Sequence, residues 1–306
     1  MSSNLIGSLI WLLFIFLSVF SHMIIKSLTG EVDFVITLFA RFVYSLPLLL
    51  ILAFLARKML FIQINHWNNI FIRSLFGFVT MIMVFSSLQL IPIGLTTALA
   101  QSSAIYVTLL SPLVLGEKIG LIRLTAVITG LIGVFLMINP IGIIEKTSEL
   151  SLLGLLLAFG SAITHAGLAL ILRKIGKTEH PASTALIHNL ITSIIIIIAI
   201  IVFGTKFYGM PGKYGIEILI TPNFIFYSLI FLGVVGSLVQ YLMAQSYKYA
   251  EATILVTLRY LAIPIAAIFG YIIWDEIPTS NQISGGALVI ASCLLITYRE
   301  MKKNKN

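Results

Sequence analysis

The sharpest chemistry in this sequence belongs to two arginines, Arg41 and Arg259, each set inside a long apolar stretch. An arginine at bilayer depth costs about 2.5–3.5 kcal/mol on insertion scales, so it faces the protein interior or a wet cavity. Arg259 lies about six residues, or about 9 Å, into its stretch, and Tyr260 beside it adds a hydroxyl and an aromatic face. Such a guanidinium can grip a carboxylate through bidentate hydrogen bonds. The competing reading is a packing ion pair, with Glu251 about two turns away, or a side chain snorkelling to the interface. Arg41, with Tyr44 one turn further on, raises the same alternatives.

Neutral and titratable groups accompany the arginines. His22, His165 and His188 titrate near neutral pH and could relay protons, although a lone helical histidine more often bonds a neighbouring backbone or hydroxyl group; His165 is preferred over His22. Gln101, Tyr106, Gln240, Tyr241 and Gln245 would line a pathway or join helix to helix, and Trp11 with Phe14 would supply an aromatic wall. The expected substrate-binding set is therefore Arg259, Tyr260, Arg41, Gln101, Tyr106, His165, His188, Gln240 and Tyr241. Glu117 and Asp275-Glu276 stand where apolar stretches end, as gates or as helix caps. No nucleophile with a base is visible, and no two or three convergent metal ligands. Catalysis, a bound metal and a cofactor are accordingly not expected. Cys293, the only cysteine, rules out an intramolecular disulfide.

Long helices must carry these groups. Of the 306 residues 59% are hydrophobic and only 10% charged, with a mean hydropathy of +1.09, whereas soluble domains are about one quarter charged. Ten apolar stretches span 5–25, 34–56, 72–90, 94–115, 121–138, 152–172, 182–203, 224–247, 253–274 and 282–298. At about 1.5 Å per residue each crosses, or nearly crosses, about 30 Å of hydrocarbon. Lipid cannot satisfy free backbone groups, so the stretches are helical. The first lacks a basic start and a small-residue cleavage site, and reads as a retained helix.

The net charge of +8 reflects orientation and not a nucleic-acid surface, since the basic residues sit in short loops without interleaved aromatics. With both termini inside, thirteen of the 19 Lys and Arg, Arg73 at the edge of the third stretch among them, fall on the cytoplasmic side. Four fall outside, and Arg41 and Arg259 lie within spans.

Two constant offsets align the halves. One places Gly7 on Gly154, Ile24 on Ile171, Lys26 on Arg173, Thr37 on Thr184 and Arg41 on His188; the other places Gly77 on Gly236, Ser87 on Ser246, Gln101 on Tyr260, Glu117 on Glu276 and Met81 on Gln240. The offsets differ by a loop insertion near Phe207 to Glu217. Five crossings per half is odd, so consecutive halves, 1–147 and 148–306, would face opposite ways and enclose a site between them.

The segments Ser111-Pro-Leu-Val-Leu-Gly-Glu-Lys118 and Pro264-Ile-Ala-Ala-Ile-Phe-Gly-Tyr-Ile-Ile-Trp-Asp-Glu-Ile-Pro278 resemble the paired signature of EamA-type transporters, of the drug/metabolite transporter superfamily. Leu258-Arg-Tyr-Leu261 with Ala266, Tyr271 and Gly286-Ala287 looks like the subgroup that includes S-adenosylmethionine uptake transporters. The resemblance implies an all-α membrane protein of ten transmembrane helices in two inverted five-helix repeats, with both termini cytoplasmic, working without ATP. Ile105 stands where the matching position of the second half has Pro264, which bears on strict symmetry between the fourth and ninth spans.

The function expected is secondary transport of a small organic metabolite, an amino acid or derivative such as S-adenosylmethionine, across a bacterial inner membrane by alternating access. The alternative is an exporter of drugs or toxic metabolites on the same fold; an enzyme or channel fits the residues poorly. Proton and solute coupling, and monomer and homodimer, are all compatible with this reading. The only partners it requires are the substrate and the lipid bilayer.

Overall fold

The computed structural model describes residues 3–57, 63–91, 93–116, 120–138, 151–274 and 280–303. Every apolar stretch read from the sequence is helical there. The first half supplies α1 (Ser3–Leu28), α2 (Phe34–Val43), α3 (Leu46–Arg57), α4 (Trp67–Leu90), α5 (Ile93–Ala100), α6 (Ser103–Leu115) and α7 (Leu121–Ile138). The second supplies α8 (Leu152–Ile175), α9 (Pro181–Phe203), α10 (Phe224–Tyr249), α11 (Ala252–Leu258), α12 (Ala262–Trp274) and α13 (Ser280–Lys303). Seven stretches are long and apolar enough to cross a membrane: Ser3–Leu28, Phe34–Arg57, Trp67–Leu90, Leu152–Ile175, Pro181–Phe203, Phe224–Tyr249 and Ala252–Ile273. Three further apolar stretches, Ser103–Leu115, Leu124–Gly133 and Ile283–Ser292, are shorter. Glu117 and Glu276 lie outside the described residues.

The molecule is inverted relative to a soluble protein. Leu113, Ile201 and Phe224 present 82%, 77% and 87% of their surface outward, while Arg41, Arg73, His165, His188, Asn189 and many Ser and Thr are buried. That distribution is stable only where the surroundings are hydrocarbon, and it makes the chain a multi-pass membrane protein.

Three spans are broken, each for a local reason. Pro47 has no N–H for the carbonyl four residues back, so α2 stops at Val43 and α3 starts at Leu46. Pro264 does the same in the second half, where Arg259–Leu261 form a 3-10 turn between α11 and α12. Between α5 and α6 no proline intervenes; instead Ser102, Ala104 and Ile105 donate to carbonyls three residues back, and the Ser102 hydroxyl donates to Leu99 O at 2.8 Å. The fourth-span break thus falls at Gln101-Ser102 even though Ile105 replaces proline.

Packing joins one half of the chain to the other. Helix α1 lies on α10, α4 on α8, α2 and α3 on α9, and α7 on α13. The glycines that allow this closeness recur in aligned pairs. A Cβ on Gly7 would lie 2.8 Å from Ala250 N and 3.0 Å from Ser246 O, and one on Gly154 would lie 2.8 Å from Ile91; Ser87 meanwhile donates to Gly154 O at 3.0 Å.

Loops repeat the exchange. The buried Asp33 carboxylate, before α2, accepts from Thr205 Oγ1 at 2.8 Å and Gly212 N at 2.9 Å. The buried Glu179 carboxylate, before α9, accepts from Asn65 N at 3.1 Å and His66 N at 2.9 Å. Each acid holds the loop after the second span of the opposite half.

Candidate functional site

The breaks and the crossing helices enclose two adjoining cavities. The first is lined by Phe14, Ser18 and His22 of α1 and by Gly77, Thr80, Met81 and Val84 of α4. His165 and Leu168 of α8, Val239, Gln240 and Met243 of α10, and Arg259 complete its wall. The second shares Ser18, His22, Val84 and Arg259 and adds Thr96, Thr97 and Gln101 from the α5 segment.

Arg259 is common to both cavities. Its 3-10 turn puts the guanidinium on the inner side of a broken span, 9% exposed, with Nη1 buried and lacking a hydrogen-bond partner. His22 and His165 are within its electrostatic reach, and both His165 ring nitrogens are buried without partners. Gln101, at the aligned break, brings a buried Oε1 that also lacks a partner. Phe14 stacks on Trp11 with ring centroids 4.1 Å apart, and Phe14, not Trp11, reaches the cavity.

Other expected residues sit elsewhere. The Tyr260 ring packs over Gly130 of α7, its hydroxyl donating to Val127 O at 3.5 Å. Tyr106 meets Phe159 edge-on at 6.5 Å, and Tyr241 packs on a small apolar cluster around Leu49 and Leu186. Arg41 is 1% exposed, lies against Gly236 and over the Phe42 ring at 5.7 Å. His188 lies against Gly77, a Cβ there falling 2.9 Å from its Cε1. Arg41 and His188 are aligned residues, as are Gly236 and Gly77, so the two contacts mirror each other between halves.

One buried cation escaped the sequence reading. Arg73, placed at the cytoplasmic edge of a span beginning near Ile72, is instead the seventh residue of α4 and wholly buried. It donates through Nη2 to Gln240 Oε1 at 2.8 Å. The helix starts at Trp67 because a polar, aromatic turn can be helical at the interface without being apolar. A hydropathy window does not register that turn.

Comparison with known proteins places this geometry. The EamA-like transporter family profile matches residues 5–139 and again 152–298. A pseudopaline exporter, CntI, of Pseudomonas aeruginosa is 25% identical over 229 residues, covering 74% of this chain and 73% of that one. A riboflavin transporter of Vibrio cholerae is 27% identical, covering 70% and 66%, and an S-adenosylmethionine uptake transporter of Rickettsia prowazekii 26%, with the same shares. A solved crystal structure shares the fold, with a TM-score of 0.73 at 18% identity over 95% of this chain and 97% of the other. The relatives are named as transporters and not as enzymes. Because the family profile fits both halves and so nearly the whole chain, the protein belongs to the EamA-like transporter family.

Proposed function

We propose that the protein is a secondary carrier of a small, carboxylate-bearing organic metabolite, built from two inverted five-helix halves of ten crossings in all, 1–147 and 148–306. The observation that carries this reading is the composition of the first cavity. Under the offsets that align Gly7 with Gly154 and Gly77 with Gly236, its lining residues Ser18 and His165, Thr80 and Val239, Met81 and Gln240, and Val84 and Met243 are counterparts. A cavity lined by equivalent residues of two opposed bundles can open to either side when one bundle rocks against the other. Broken spans at Gln101 and Arg259 bring polar groups to it. In this reading the chain lies in a bacterial inner membrane with both termini cytoplasmic, and solute or proton gradients set the direction.

Arg259 binds the carboxylate, because it lines both cavities and a bidentate fork suits that group. The named substrates of the relatives, pseudopaline, riboflavin and S-adenosylmethionine, define the panel to screen first, together with amino acids. The test is counterflow in proteoliposomes: a carrier exchanges labelled solute faster when unlabelled solute waits on the opposite side. Arg259→Ala should lower the exchange rate at least tenfold at unchanged reconstitution, and Arg259→Lys should recover part of it. Exchange that persists undiminished in Arg259→Ala removes Arg259 from the site, and the absence of counterflow with every compound removes the carrier reading.

A further inference from the structure

Among the described residues the interior holds three arginines, Arg41, Arg73 and Arg259, and no counter-charge from the helices around them. None of the 11 Asp and Glu residues falls within α1 to α12. Arg41 and Arg73 are 1% and 0% exposed. No nitrogen of the Arg41 guanidinium has a hydrogen-bond partner, nor do Nε and Nη1 of Arg73; the Arg73 bond described above is to a neutral amide. A buried guanidinium offers five donors, and leaving them unmet away from water is strongly unfavourable. An anion among these groups would meet their unmatched donors and balance their charge.

The positions of these groups say where such an anion would sit. Gly236 and Gln240 are one turn apart on α10, about 6 Å along its axis; Arg41 lies against the first and Arg73 bonds the second. Gly77, one turn beyond Arg73 on α4, carries His188 against it, and His188 is within electrostatic reach of both Arg41 and Arg73. Its Nε2 is buried and unpartnered. Gly77 and Gln240 also line the first cavity, so the cavity that holds Arg259 runs up to this second cationic cluster.

We infer that the cavity takes a solute bearing at least two anionic groups, one held by Arg259 and the other by Arg73 with Arg41 behind it. The Gln240 carbonyl, which accepts from Arg73, holds the place of an oxygen of the second group and is displaced when that group arrives. Three cations with no acid between them select against a net-cationic solute. This rests on the carrier reading only for its consequence in transport; the binding itself is independent of it.

The experiment measures thermal unfolding of the purified full chain with glutarate or citrate, against butyrate and lysine at equal ionic strength. Glutarate or citrate should raise the midpoint with concentration, as any ligand of the folded state does, while butyrate and lysine leave it unchanged. Arg73→Gln or Arg41→Gln should weaken the effect at least tenfold. Because either can fail to fold, Gln240→Glu decides: with its own carboxylate on Arg73 it should unfold at a higher temperature unliganded and lose the response to glutarate and citrate. No response to either polyanion in the wild type, an equal response to butyrate, or a full response in Gln240→Glu overturns the inference. Polyanion binding without counterflow would keep it and sink the carrier reading; counterflow of a monocarboxylate without polyanion binding would do the reverse.

Discussion

Two glycines show how close packing divides between structure and chemistry at the scale of single residues. Gly7 faces backbone atoms of Ala250 and Ser246, which cannot withdraw, whereas Gly236 faces the far end of the Arg41 side chain, which can. Gly7→Ala should therefore cost about 1–3 kcal/mol, the usual range for overpacking, and lower the unfolding midpoint in detergent. Gly236→Ala should change that midpoint less while shifting the Arg41 guanidinium and weakening polyanion binding. Equal losses of stability in the two variants would contradict the distinction. The sequence showed that Gly77 and Gly236 correspond, but not that Arg41 and His188 fill the space above them, because contacts between helices distant in the chain leave no local pattern. Arg259 was legible as an interior cation for a simpler reason: nothing apolar gains from a guanidinium in mid-span. Arg73 was hidden because apolar length placed the start of its span near Ile72, whereas the helix already begins at Trp67.

At the scale of elements, apolar length alone located the helices, while their interruptions came from bonding that hydropathy does not weigh. Pro47 and Pro264 could have been read as breaks, but Gln101-Ser102 has no such marker. The loops were less legible still, since the clasping roles of Asp33 and Glu179 depend on which distant loop each one meets. Glu179→Gln replaces charge-assisted bonds to the Asn65 and His66 amides by neutral ones, and should cost about 1–2 kcal/mol in unfolding free energy. The adjacent His180 caps α9 by accepting from Ala182 N through Nδ1 at 3.3 Å, which requires that nitrogen to be unprotonated. Burial, with the positive charges of Lys248 and Arg57, lowers its pKa below the ordinary 6.5. The folded state therefore binds fewer protons than the unfolded one just below that value, so stability is present above about pH 6.5 and declines as pH falls through the window beneath it. His180→Asn keeps a capping oxygen and should flatten that part of the unfolding-midpoint profile; an unchanged slope would assign the decline to other groups.

Across the whole molecule, the same exchanges recur at three levels: aligned glycines, aligned breaks and the two carboxylate clasps each link a feature of one half to its counterpart in the other. Any two-fold relation between the halves repeats such exchanges, and the direction of its axis decides on which faces of the membrane the two clasps lie. In the carrier reading proposed above the axis lies in the membrane plane, which puts the two clasps on opposite faces. This makes a prediction about accessibility. In a Cys293→Ser background, Gln63→Cys next to the Glu179 clasp and Lys206→Cys next to the Asp33 clasp both present exposed thiols. A membrane-impermeant maleimide applied to intact cells should label the position at 206 and reach the one at 63 only after permeabilisation. Labelling of both from outside would place the clasps on one face, dissolve the inverted relationship, and with it the reason for a cavity lined by equivalent residues of opposed bundles.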